Sequence, residues 1–268
     1  MKNGDCTVLV VSCDAYADVV PPFVALWRKF WPDCPFETVL LSETIPCDGF
    51  DRVLTVGRCD EWAPRISRAI DQISTPYVLL VLNDYYLSAP VDTAHMLRRL
   101  DEVKRFDALN LRLNPNPPGR RPWPDSDLLE MPKNVAYCVT CQTGIWNREF
   151  FAGLISRTRS AWEFERHGSF MFNGSETRPL LVTAQREFPF VDALHKGYWE
   201  KNGIAVCERN GVSIDFAARG RPPFSVKVRE GLKAAAFAIF PWTLIVRLQN
   251  MFDGAPDARG GKSGRNRV

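Results

Sequence analysis

Excess charge is the first thing this chain lacks. Its 34 Lys and Arg nearly balance 31 Asp and Glu, a formal +3 over 268 residues, and no basic run interrupts the folded part. That excludes the electrostatic footprint of a nucleic-acid binder. Histidine is scarce, three in all, and His167 and His195 have no metal-ligand spacing, which argues against zinc. The eight cysteines (6, 13, 34, 47, 59, 138, 141 and 207) are scattered, several within apolar runs. Cys138-Val-Thr-Cys141 has no second pair at zinc-finger distance, so reduced, partly buried thiols are expected in place of a disulfide framework. No uninterrupted apolar segment reaches transmembrane length. The run Thr7–Val11 is too short for a secretory h-region and no small-residue cleavage pattern follows it, so a cytoplasmic protein is expected. Internal repeats are absent too.

What is present is a strand of unusual clarity. Tyr77-Val-Leu-Leu-Val-Leu82 is an unbroken apolar run, rich in Val and Leu, as in a strand buried on both faces. It stops on Asn83-Asp84, followed by Tyr85, Tyr86 and Leu87. In open α/β sheets the carboxyl ends of the strands face the ligand crevice. An acid there can hold a ribose hydroxyl or a divalent metal beside a diphosphate. Asn and Asp also favour plain turns, and what flanks the strand decides between the two readings.

Thr7–Ser12 reads as a first buried strand with Cys13-Asp14-Ala-Tyr16 as its exit loop. Val19 to Phe30 has helical spacing (Phe23, Leu26, Trp27, Phe30), and Pro21-Pro22 suit its first turn. Strands are predicted at Phe36–Leu41 and Asp51–Val56. A helix opens at Asp60-Glu61-Trp62 and runs to Ile73, its acids favoured by the helix dipole. This alternation predicts an α/β fold with a mainly parallel sheet, long enough for a substantial core. Beyond Leu87, helices are predicted at Val91–Val103, Asn147–Ser156 and from Ala161, and strands at Ala108–Leu113, Val135–Gln142 and Leu180–Phe188. Asn114 to Pro124 carries five prolines in eleven residues and is predicted to be an irregular loop.

Read together, several segments resemble bacterial glycosyltransferases of the GT-A type that build surface polysaccharides. They are Ser12 and Asp14 at the first strand tip, Glu61-Trp-Ala-Pro-Arg65-Ile-Ser-Arg-Ala-Ile70, and the Tyr77–Leu87 strand. Gln142-Thr-Gly-Ile-Trp146-Asn-Arg-Glu-Phe150 and Trp162-Glu-Phe-Glu165-Arg-His-Gly-Ser169 complete the order, over about residues 5 to 210. The resemblance implies a GT-A-like (Rossmann-like) sheet flanked by helices. It implies a nucleotide-sugar-binding half at 1–90 and an acceptor-binding half of the same domain at 91–230, with catalysis at their junction. A nucleotide-sugar donor and a glycan or polyprenyl-linked glycan acceptor would be its partners. The chain departs from the group at Asn83-Asp84-Tyr85, where an Asp-X-Asp triplet is usual. One acid remains to hold Mg²⁺ or Mn²⁺, and a single carboxylate with phosphate oxygens and waters suffices for Mg²⁺.

Glycosyl transfer needs a base for the acceptor hydroxyl and charge stabilisation for the departing diphosphate. Glu165 and Glu163 are the base candidates; two residues apart, they point in different directions, and either could instead serve a helix N-terminus. Inversion is expected because no nucleophile stands out. Ser12, Asp14, Tyr16, Arg65, Asn83, Asp84 and Lys196 are candidates for the nucleotide-sugar site. Asp14 reads equally as a helix cap, and Lys196 would neutralise the leaving diphosphate. Gln142, Trp146, Trp162, His195 and Trp199 are candidates for the acceptor, though a tryptophan at a strand–helix junction also suits a core. Two rival classes stay open, a nucleotidyltransferase and an inactive binding scaffold. The first is disfavoured because Ser12–Tyr16 has no glycine for a phosphate loop. Finally, 231–252 is expected to form an amphipathic helix, either peripheral on the membrane or packed on the core, ahead of a disordered tail at 253–268.

Overall fold

The computed structural model describes residues 2–220, so the C-terminal helix and tail expected from the sequence lie outside the described residues. β1 (Asn3–Val11) is followed by a 3-10 turn over Asp14–Val19 and by α1 (Val20–Phe30). Next come β2 (Phe36–Ser42), β3 (Arg52–Thr55), α2 (Trp62–Ile70), β4 (Tyr77–Leu82) and β5 (Tyr85–Leu87). α3 (Thr93–Arg105), β6 (Asn110–Arg112), β7 (Arg121–Pro122), β8 (Leu128–Glu130), β9 (Gly144–Asn147), α4 (Arg148–Ile155) and α5 (Ala161–Arg166) follow. The described chain closes with β10 (Leu180–Thr183), β11 (Phe190–Asp192), β12 (Leu194–His195), β13 (Tyr198–Trp199), α6 (Lys201–Arg209) and α7 (Phe216–Arg219).

Nine strands form one sheet in the order β3-β2-β1-β4-β9-β6-β10-β8-β7. β1 pairs in parallel with both β2 and β4, β2 with β3, and β6 with β10. β9 runs antiparallel between β4 and β6, and β8 antiparallel to β10. The expected mainly parallel α/β sheet is therefore the fold. Side chains alternate across each strand. Val8 and Val10 of β1 with Leu79 and Val81 of β4 join Phe23 of α1 and Leu100 of α3 in one core layer. Leu9, Val11, Val78 and Leu80 join Ile66 of α2, Phe151 of α4 and Phe164 of α5 in the other. Both faces are covered, which is why the Tyr77 run is apolar without alternation. Each such Val or Leu contributes about 1.5–3 kcal/mol by leaving water.

α3 is fastened by a buried ion cluster. Arg99 Nε and Nη2 donate to Glu187 at 2.8 and 2.5 Å, and Nη1 and Nη2 donate to Asp127 at 2.6 and 2.9 Å. Nη1 also reaches Glu102 at 2.7 Å. The Arg99 side chain is buried, so the acids replace the water it loses.

Two expected strands are corrected. Val135–Gln142 is not a strand: the sheet begins again at Gly144, and 135–142 is a loop whose middle is buried. Its polar backbone is satisfied by side chains in place of a neighbouring strand. Arg112 Nη2 donates to the carbonyls of Tyr137 and Cys138 (3.3 and 3.0 Å), Val139 N donates to Ser169 Oγ (3.0 Å), and Cys141 N donates to Glu165 Oε1 (2.8 Å). The strand from Leu180 ends at Thr183, where Thr183 Oγ1 donates to the Gln185 carbonyl and turns the chain.

Candidate active site

The sheet order places β2 and β3 on one side of β1 and β4 on the other, so the carboxyl ends of β1 and β4 flank a topological switch point. Val11 and Leu82 are opposite one another in the last register pair. Beyond them, Asn83 Nδ2 donates to Ser12 Oγ at 2.9 Å and to the Tyr16 carbonyl at 3.3 Å. Ser12 and Asn83 are both buried. Their polar groups hold the two strand exits together, which corrects the expectation that they face a ligand.

Asp14 is neither a helix cap nor an open ligand. Oδ1 accepts from the backbone N–H groups of Thr44 and Ile45 (2.9 and 3.0 Å), and Oδ2 accepts from Thr44 Oγ1 (2.5 Å). These bonds hold its carboxyl below the ordinary range despite some desolvation. Glu43, at the β2 exit, accepts from Asp14 N (3.0 Å) and pairs with Arg65 Nη1 (2.9 Å). Arg65 is thus a buried residue of α2 that neutralises Glu43, and its guanidinium is not presented to a diphosphate as expected.

Asp84 is half-buried and differs from these. Burial, then the negative charge of Asp192, pushes its carboxyl up to about 7. The pairing of β5 with β11 sets Asp192 opposite Tyr85 and so beside Asp84. The Asp84 carbonyl accepts from Ala193 N at 2.7 Å. Gly203 of α6 packs closely on the same residue: a Cβ there would lie 2.5 Å from the Ala193 Cα. Desolvation also raises Asp192. Two neighbouring acids whose charge burial disfavours are a donor set suited to a divalent cation. Among the described residues, no group of three or more His, Cys, Asp or Glu side chains forms a metal-binding cluster.

Glu165 emerges from α5 toward the same region. Its carboxylate is oriented by Cys141 N–H, and burial raises its pKa above the ordinary range against the pull of that bond and of Arg112. Arg112, itself pushed down to about 10 by burial, donates to the carbonyls of Asn116, Pro117, Tyr137 and Cys138. Glu163 turns the other way. Its N–H donates to Ser160 Oγ (3.1 Å) and its carboxylate accepts from Arg159 N (2.8 Å), a reciprocal cap on α5. That corrects its place among the base candidates.

Tyr85 follows Asp84 at the start of β5. The charges acting on its hydroxyl are those of Asp84, Asp192, Cys141 and Glu165. Its ring lies on that of Phe190 (centroids 4.1 Å, 18°).

The expected aromatic platforms divide. Trp146 is 1% exposed and packs on Phe150, Phe151 and Phe164, while Trp199 is equally buried and donates Nε1 to the Asp215 carbonyl (3.0 Å). Both belong to the core, a correction. Trp162 is 59% exposed on α5 beside Glu165, and Gln142 is half-buried next to Cys141. His195 is exposed on β12, and Lys196-Gly197 form the left-handed turn of the β12–β13 hairpin (φ 50° and 82°).

Arg219 of α7 was not singled out by the sequence. It pairs with Asp18 through Nε and Nη2 (both 2.7 Å), donates to the Ala15 carbonyl, and lies 4.3 Å over the Tyr16 ring. Its Nη1 reaches the Gly197 carbonyl (3.5 Å), so the hairpin bearing Lys196 is drawn to the β1 exit loop. Desolvation, then the Asp84 charge, raises the Tyr16 phenol.

No protein-family model matches this chain, and no curated protein sequence does. Among solved structures, S. aureus TarS 1-349 is similar at 13% identity over 71% of this chain and 59% of that one, with a TM-score of 0.43. The same fragment in complex with UDP-GlcNAc is similar at 12% identity, over 71% of this chain and 57% of that one (TM-score 0.43). A cytidylyltransferase from Leptospira borgpetersenii serovar Hardjo-bovis is similar at 10% identity over 83% of this chain and 100% of that one (TM-score 0.42). The chain thus spans about three-fifths of the TarS fragment, 59% of its length.

Proposed function

We propose that this chain is a glycosyltransferase that moves a sugar from a nucleotide-sugar donor to a glycan or lipid-linked glycan acceptor in bacterial polysaccharide biosynthesis. The observation that carries the reading is the pairing of β5 with β11, which sets Asp192 beside Asp84 just past the β1–β4 switch point, with the charge of Glu165 felt at Tyr85. The donor diphosphate lies against Asp84 and Asp192. These two carboxylates would hold Mg²⁺ or Mn²⁺, which when bound neutralises charge on the departing nucleoside diphosphate. Tyr16, with Arg219 on its ring, offers an aromatic face for the base, and Lys196 adds a cation at the hairpin turn.

Glu165 is the general base. Cys141 N–H fixes its carboxylate, and the acceptor hydroxyl gives its proton there as the acceptor oxygen bonds to the anomeric carbon. The bond from that carbon to the diphosphate breaks on the opposite face, so configuration inverts. Trp162 supplies an exposed indole for a sugar face beside the base.

The test is release of nucleoside diphosphate from a panel of UDP-, GDP-, CDP- and dTDP-sugars with Mn²⁺, with and without glycan acceptors. Release from one donor, lost in Glu165→Gln, is expected. No release across the panel overturns the proposal.

A further inference from the structure

Tyr85 is placed more firmly than a half-buried strand-end tyrosine requires. Its ring is the top layer of a stack: the Arg186 guanidinium lies 5.2 Å from the Phe190 centroid, and Phe190 lies against Tyr85 at 4.1 Å. Arg186 Nη1 also donates to the Phe190 carbonyl at 2.9 Å, which locks the layers together. The next residue, Tyr86, points into the core and donates to the Val19 carbonyl (2.9 Å), so the alternation of β5 sends Tyr85 to the other side. Asp84 precedes it in the chain, Asp192 is its partner across the β5–β11 pairing, and the Glu165 charge also acts on its hydroxyl. No described side chain accepts its hydrogen bond. A fixed hydroxyl without an acceptor side chain is therefore set next to Asp84 and opposite Asp192, the acids that would hold a diphosphate, within reach of the Glu165 charge.

We propose that Tyr85 is a catalytic hydrogen-bond donor, its hydroxyl directed at the oxygen that joins the sugar to the diphosphate. This rests on the glycosyl-transfer reading above. The acceptor O–H proton passes to Glu165, and the acceptor oxygen bonds to the anomeric carbon. The electron pair of the broken carbon–oxygen bond leaves with the nucleoside diphosphate. Tyr85 keeps its proton and strengthens its hydrogen bond as charge develops on that oxygen, so its contribution falls on the transition state more than on the bound donor.

Tyr85→Phe is the discriminating variant, because the ring and its stack on Phe190 remain and the hydroxyl alone is removed. Donor turnover is followed with the nucleotide sugar that wild type accepts, alongside calorimetric binding of the corresponding nucleoside diphosphate and the melting temperature. The expected result is a loss of turnover of about tenfold to a thousandfold, the range for removing one oriented donor, with diphosphate affinity within about twofold and melting unchanged. Wild-type turnover in Tyr85→Phe overturns the proposal and leaves glycosyl transfer standing. So does a variant that loses diphosphate affinity or melting temperature in step with turnover, since the hydroxyl would then be structural. A wild-type protein that turns over no nucleotide sugar overturns the transfer reading and this proposal with it.

Discussion

Asp84→Asn should make the protein more stable, and more so as the pH rises. The wild-type carboxyl titrates at about 7 in the folded chain against 3.8 for an ordinary Asp. Between those values the folded state holds a proton that the unfolded state has released, so stability falls as pH climbs through about 7 and levels off above it. At 1.36 kcal/mol per pH unit, a rise from 3.8 to about 7 corresponds to about 4 kcal/mol. Asp84 is partly exposed, and solvent screening brings the figure nearer ~2 kcal/mol. Asn has the same shape without the titration. Urea unfolding of both proteins at pH 4.5 and pH 8 reads the difference: the advantage of Asp84→Asn grows from ~0.5 to ~2 kcal/mol. Mn²⁺ at pH 8 should stabilise wild type and leave the variant unmoved. A gap between the two proteins that does not change with pH refutes the reasoning, since a strained carboxyl must show itself as linkage.

Glu165→Gln should lower turnover about a hundredfold or more, the scale of general-base loss, with nucleoside diphosphate affinity intact by calorimetry. In wild type, burial raises the Glu165 carboxyl, so turnover falls as pH drops through a value above the ordinary carboxylate range; a pH–rate profile checks it. Glu163→Ala removes half of the α5 cap and should cost about 1 kcal/mol in urea unfolding while turnover persists. Arg99→Ala strands Glu102 without its cation and leaves Glu187 with His95 alone, and should cost about 3–5 kcal/mol, seen as a lower urea midpoint.

The sequence made β1, β2 and β4 legible because their apolar runs answer to a sheet covered on both faces. Helix α1 followed from its apolar spacing, and α3 and α4 lie close to the helices expected at 91–103 and 147–156; the caps that start them, Asp92 and Asn147 accepting from His95 and Phe150 N–H, are seen in the structure. The Cys138–Gln142 segment misled for a physical reason. Its apolar residues are buried, yet Arg112, Ser169 and Glu165 bond its backbone from distant elements, and no local pattern announces such partners. The same limit applied to the site. Asp84 stood out at a strand end, whereas Asp192 joins it through the pairing of β11 with β5, and Arg219 reaches Asp18 across most of the chain. Trp146 and Trp199 show the reverse: a tryptophan next to sugar-site candidates gave a binding signal, and both rings went to the core.

Whether the switch point at the β1 and β4 exits takes a nucleoside diphosphate is tested most directly by calorimetric titration. UDP, GDP, CDP and dTDP are titrated with Mn²⁺ into the full-length wild type and Asp84→Asn. One of the four should bind wild type with a Mn²⁺-dependent affinity and lose at least tenfold in Asp84→Asn. Binding of none, or equal binding to both proteins, would contradict the placement of the donor at Asp84.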